Sequence, residues 1–202
     1  MGAPPRAFQG WLPLVTPRLV LRLPSPKDVP DLKRSFRDRR TARAVGASLH
    51  SAEERRDPLR MVVRTRKEFR QGTDLSLSVV ERGSGRCVGR VGLRGLDWRY
   101  RKVESLSYWI APLRWNRGYA TESSYFLCQA AFRHLRMRRV SSQALSENHA
   151  SLAVLHNLGF VPEGRERRAV VVKGKAMDMW LFGLFPEELR SPSAVERPPA
   201  RG

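Results

Sequence analysis

A chain of 202 residues with 41% hydrophobic content is long enough to bury one full core, so a single domain is expected. Its apolar runs, such as residues 169–172, fall far short of the roughly 18 residues of a membrane span, and the N-terminal stretch holds nothing of signal-peptide length, which predicts a cytoplasmic protein with no membrane partner. The net charge of +19 suits a polyanionic partner such as RNA, the ribosome or an acidic protein, but only six of the 38 basic residues are lysine, and the arginines are scattered, a skew that base composition also produces.

In chain order, residues 1–13 are rich in Pro and Gly without a period and read as a loose lead-in to a domain over 14–189. Residues 18–23, Arg-Leu-Val-Leu-Arg-Leu, predict a strand. Ser25-Pro26-Lys27-Asp28 has the cap, proline and acid of a helix start, and Val29, Leu32 and Phe36 carry the helix to about residue 40. Ser51-Ala52-Glu53-Glu54 opens a second helix to about residue 70, with Leu59, Val62, Val63 and Phe69 on its buried side; Pro58 either bends it or marks its true start. Residues 74–82 and 86–96 form a hairpin about Gly83-Ser84-Gly85, with Gly89 and Gly92 pointing to a bulge or a close backbone approach. A strand over 103–110 stops at Pro112, a loop with two arginines and a glycine follows, and a helix runs from Tyr119 to about residue 135.

The loop and the first turn of that helix form a site for a phosphate or pyrophosphate, because free backbone amides and the positive helix end face the same point. Residues 138–145 return as a strand parallel to 103–110. A short helix follows to Leu158, then a hairpin of 160–172 and 176–185 about Lys173-Gly174-Lys175. The composition of 190–202 predicts a disordered tail. Cys87 and Cys128 read as packed thiols, and the four histidines lie in no cluster with ligand spacing, so no metal is expected.

Five motifs stand in order: Tyr108-Trp109-Ile110, Arg117-Gly118-Tyr119-Ala120-Thr121-Glu122, Glu147-Asn148 with Ala150-Ser151, Asn157-Leu158-Gly159-Phe160, and Glu163-Gly164. In this the chain resembles the GNAT superfamily of acetyl-CoA-dependent N-acetyltransferases, and within it the RimJ/RimL branch. The resemblance implies a mixed α/β fold: a twisted, mostly antiparallel sheet of about six to seven strands with one splayed parallel pair, flanked by about four helices. It implies acetyl-CoA as cosubstrate, passing its acetyl group directly to a primary amine. A protein N-terminal α-amine of ribosomal type leads among acceptors, and a small-molecule amine follows. A polycationic aminoglycoside is disfavoured by long-range repulsion. The rival from another class is a non-catalytic CoA-sensing or nucleic-acid-binding module.

The pyrophosphate loop of the resembled family begins with Gln or Arg, where this chain has Trp115. Cofactor contacts carried over are Ile110 and Ala111, offering backbone groups to the pantetheine arm, Arg114, Trp115, Asn116, Arg117, Gly118, Tyr119, Ala120 and Thr121 around the pyrophosphate, and Asn148 with Ser151. Asn148 is also a good helix cap, and both readings are open. For catalysis the expected residues are Ser151, as general acid toward the leaving thiolate, and Glu104, as general base directly or through water; ordered water alone is the alternative base.

Overall fold

A computed structural model describes Phe8 and residues 10–41, 51–172 and 174–192. β-Branched and leucine-rich runs supply the strands β1 (Leu14–Val15), β2 (Leu19–Arg22), β3 (Leu75–Glu81), β4 (Cys87–Asp97), β5 (Lys102–Ile110), β6 (Arg139–Leu145), β7 (Val161–Val172) and β8 (Lys175–Leu184). They form one sheet in the order β1-β2-β3-β4-β5-β6-β8-β7. Neighbours are antiparallel except β5 and β6, which the crossover helix between them makes parallel. The mixed fold with one parallel pair is therefore as expected. The strand beyond the expected seven is β1, whose two residues are too few to show an alternation.

The helices with complete bounds are α1 (Val29–Arg37), α2 (Ala52–Arg56), α3 (Pro58–Gln71), α4 (Tyr119–Arg133) and α5 (His149–Asn157). A one-turn 3-10 helix, Pro26–Asp28, precedes α1, and the Asp28 carboxylate accepts from the Ser25 amide at 3.0 Å, from Ser78 Oγ at 2.8 Å and from the Arg22 guanidinium. α1 stops at Arg37, short of the expected residue 40, because Asp38 turns extended (ψ 120°). The expected second helix is two: Ser51 and Glu54 make a capping box for α2, and Pro58 takes the first position of α3, with Asp57 capping it through the Leu59 amide.

The buried stripe of α3 is Met61, Val62 and Thr65, while Leu59 and Val63 are 43% and 60% exposed. Of the four residues expected inward, Val62 is buried and Phe69 packs against the core, while Leu59 and Val63 face outward. Two apolar stripes run along α3, and packing on the sheet selects the one that continues from Pro58.

Core residues divide between the two faces of the sheet. Val91, Leu93, Leu106 and Ile110 pack in the cluster that contains Leu127, Cys128 and Ala131 of α4 and Leu155 of α5. A second cluster joins Leu32 of α1 and Met61 of α3 to Cys87 and Trp109, with Phe36 against it. Phe8, inside the stretch read as a loose lead-in, is 2% exposed and sits 4.7 Å from the Phe69 ring.

Close approach explains Gly89 and Gly92: a Cβ there would lie 2.3 Å from the Trp109 carbonyl oxygen and 2.5 Å from Ser76 Oγ. Opposite Gly89 the β3–β4 register shifts between Val79 and Val80. Lys173 of the last hairpin and the tail from 193 lie outside the described residues.

Candidate active site

β5 and β6 share a register only at Lys102 with Arg139 and Val103 with Val140. Beyond those two pairs the strands part, and Ser142 of β6 bridges the gap by donating from Oγ to the Leu106 carbonyl at 3.0 Å. Farther out, the Tyr108 hydroxyl lies 2.9 Å from Ser151 Oγ and 3.1 Å from the Ser151 carbonyl oxygen, so β5 touches the first turn of α5 across the splay. Burial pushes the Tyr108 phenol well above its ordinary pKa even though Ser151's hydrogen bond works the other way, so it remains a proton donor at neutral pH.

The chain leaves β5 through a 3-10 turn, Pro112–Arg114, and enters α4 at Gly118. Asn116 (φ 57°) and Gly118 (φ 73°) both take left-handed backbone, and a glycine at the second is the unstrained choice. No side chain caps α4. Its first closed bond runs from the Glu122 amide to the Gly118 carbonyl at 2.9 Å, so the amides of Tyr119, Ala120 and Thr121 precede the helical ladder. A row of unspent donors at the positive end of a 15-residue helix is built for an anion.

A family model described as an acetyltransferase (GNAT) domain matches residues 18–161. The chain belongs to the GNAT acetyltransferase family. It is 25% identical over 183 residues to the uncharacterized N-acetyltransferase p20 of Bacillus licheniformis, covering 87% of this chain and 97% of that one. It is 34% identical over 104 residues to YdaF of Bacillus subtilis, which bears the name of a ribosomal N-acetyltransferase, covering 52% of this chain and 56% of YdaF. Mycobacterium smegmatis RimJ, solved with CoA-disulfide, shares the fold with a TM-score of 0.75 at 22% identity over 87% of this chain and 86% of RimJ. The protein is an acetyl-CoA-dependent N-acetyltransferase.

The GNAT cosubstrate fits what the splay and loop present. Backbone, more than charge, is what the loop has free. Arg114 is engaged by Glu81 through Nε at 2.9 Å and Nη2 at 3.0 Å, and the Tyr119 hydroxyl donates to the same carboxylate at 2.8 Å. Arg114, with Ser84 and Tyr119, holds the Glu81 carboxyl down at about 2 against the pull of burial. Trp115, at the family's departure, donates from its indole to the Ile110 carbonyl at 2.7 Å and folds the loop back on β5. The Ala111 amide is spent on the Val88 carbonyl at 2.7 Å, and alternation turns the Ile110 amide the opposite way, into the splay. Asn116, Arg117 and Gly118 are exposed, and Ala120 and Thr121 are half-buried.

Asn148 does cap α5, its Oδ1 accepting from the Ser151 amide at 3.1 Å, which leaves its amide nitrogen for a ligand. Glu104 is exposed near the closed end of the splay, its carboxylate against Gly95 (φ 63°), and it lies four residues from Tyr108, on the order of 13 Å along the strand. Among the described residues no three His, Cys, Asp or Glu side chains gather in a metal-holding group, and no helix is long and apolar enough to cross a membrane.

Two groups here escape a reading of the sequence. Glu122, 1% exposed, accepts from Thr16 Oγ1 at 2.6 Å, the Arg18 amide at 3.0 Å and Arg18 Nε at 2.6 Å, tying the start of α4 to the turn between β1 and β2. Arg18 then stands over the Tyr119 ring with Nη2 beside Gly118. Tyr108 is the second. Its partner is 43 residues away, and only the motif order hinted that they meet.

Proposed function

We propose that this enzyme acetylates protein N-terminal α-amines, of the ribosomal-protein type, by direct transfer from acetyl-CoA. The observation that carries the reading is the Tyr108–Ser151 contact across a splay that opens next to the uncapped end of α4. The name of YdaF supports the acceptor class.

Acetyl-CoA brings an already activated thioester. The amides of residues 116–121 hold the pyrophosphate, the Ile110 amide and the Asn148 side chain take the pantetheine arm, and the arm thereby lies along β5 as an added strand. Ser151 gives its hydroxyl proton to the departing thiolate, with Tyr108 donating to Ser151 Oγ as it does so. Glu104 takes the amine's proton through ordered water, a reading that its separation from Tyr108 supports.

Thiol release from acetyl-CoA with synthetic ribosomal-protein N-terminal peptides tests this. Free α-amines should turn over and their N-blocked copies should not. Turnover confined to small amines would replace the acceptor while keeping the chemistry, and CoA binding without any turnover would favour a sensing module.

A further inference from the structure

On the face that carries α1 and α3, a small cavity of about 30 Å³ lies between the sheet and α3. Ser76, Arg90, Arg94, Ser107 and Trp109 line it from the sheet, and Arg64 from the helix. Tyr108 is also in its wall, and the Tyr108 hydroxyl reaches Ser151, so this cavity and the place of acyl transfer share one strand. It has room for one or two waters or a group of carboxylate size.

Arg64 is held by Glu54 at 2.5 Å and Glu68 at 2.8 Å, and the two carboxylates act on Arg90 through space without a hydrogen bond to it. Arg90 is 5% exposed and has no carboxylate partner among the described residues. Its Nη2 donates to Thr65 Oγ1 at 2.8 Å, while its buried Nε has no partner at all. The neighbouring Cys87 thiol supplies no negative charge, because burial pushes its pKa up to about 11. Burial also lowers the Arg90 pKa to about 10, which still leaves a full positive charge at neutral pH. Arg94, at the rim, is exposed and unpaired among the described residues. A buried guanidinium N–H with no acceptor is costly until one arrives to meet it, and the serine hydroxyls and arginines of the lining can all donate to an anion.

We propose that Arg90, with Arg94 at the rim, seats a carboxylate of the acceptor, and that the preferred acceptor amine is one with an acidic side chain within its first two residues. This rests on the reading that the acceptor is a protein N-terminus, and takes it to enter from the α1–α3 face. With Nη2 shared with Thr65, Arg90 keeps its Nε–H for a carboxylate, in a planar geometry that a lysine lacks.

The test compares initial rates on peptide pairs that differ only by Asp against Asn, or Glu against Gln, at the first or second residue, with free aspartate and glutamate as a separate arm. In the wild-type protein kcat/KM should favour the acid over its amide by roughly ten- to hundredfold, the range expected of a charge-assisted bond. In Arg90→Met the preference should collapse to within about twofold, and the melting temperature should hold or rise, because a buried unpaired charge has gone. The wild-type comparison stands even if that variant folds poorly.

Equal rates on acid and amide overturn the proposal, as does an Arg90→Met protein that keeps the preference. If free amino acids outrun every peptide, the seat stands and its source is a small molecule. If no acceptor turns over, thermal shifts of the CoA-loaded protein with the same peptides decide. A shift specific to the acidic peptide keeps the seat and removes the protein-N-terminus reading, and no shift with either peptide removes both.

Discussion

Ser151 has one hydroxyl proton, and Tyr108 governs where it points. With the phenol donating to Ser151 Oγ at 2.9 Å, the serine proton is free for the splay; with the phenol donating to the Ser151 carbonyl at 3.1 Å, the serine proton turns back toward Tyr108. Ser151→Ala should lower kcat by roughly a hundredfold, the usual scale for a lost general acid, and Tyr108→Phe by about tenfold, with the KM for acetyl-CoA changed by less than about twofold in each. Steady-state thiol release measures both, and an unchanged kcat in Ser151→Ala removes it from the chemistry. Glu104→Gln should likewise lower kcat at unchanged CoA affinity, and the drop should shrink as pH rises and more amine is already neutral. Residues of this kind are the least legible in a sequence. Nothing local in Ser-Tyr-Trp-Ile announces that Tyr108 meets Ser151, and Arg90 reads as one more surface arginine until Thr65 and the sheet close over it.

At the level of elements, what was legible is what is local. The Ser51 to Glu54 box, the helix start at Pro58 and the glycine at the head of α4 each act within four residues, and each is where a reading of caps places it. What failed was the inward placing of Leu59 and Val63 on α3, since they and the pair Met61 and Thr65 share a four-residue spacing and only the sheet decides between them. The loop before α4 is held at both ends by Glu81 from the end of β3, through Arg114 and Tyr119. The Glu81 carboxyl is depressed from an ordinary 4.5 to about 2, so its ion pair contributes stability that is fully present above about pH 4.5 and is lost as pH falls toward about 2. Denaturant midpoints across that window should fall in wild type and fall less steeply in Glu81→Gln. Gly118→Ala forces a Cβ into left-handed backbone, a cost of roughly 1 to 2 kcal/mol. It should raise the Kd for CoA as the loop shifts, read by calorimetry against wild type.

For the whole molecule, the +19 charge and the ion pairs are linked. Glu54, Glu68, Glu81, Glu122, Glu163, Asp28 and Asp178 are all engaged by arginines, so much of the acidic minority is consumed internally and the surplus arginine faces outward. A polyanionic cosubstrate should therefore feel a field that salt screens: the KM for acetyl-CoA should rise between low and about 0.5 M ionic strength while kcat holds. Acetyl-CoA at about 100 times its Kd should lift the melting temperature by roughly 5 to 10 °C, and adenosine should not.

The two-pair contact of β5 with β6 also bears on handling. A strand in the middle of this sheet has, beyond Val103, a border that no strand pairs, with the Leu106 and Ile110 carbonyls taken only by side chains, and unpaired borders template unwanted pairing with other chains. With the pantetheine arm in place that border is sealed, so the protein stored without CoA should self-associate sooner on warming than the protein stored with it, and light scattering would tell the two apart.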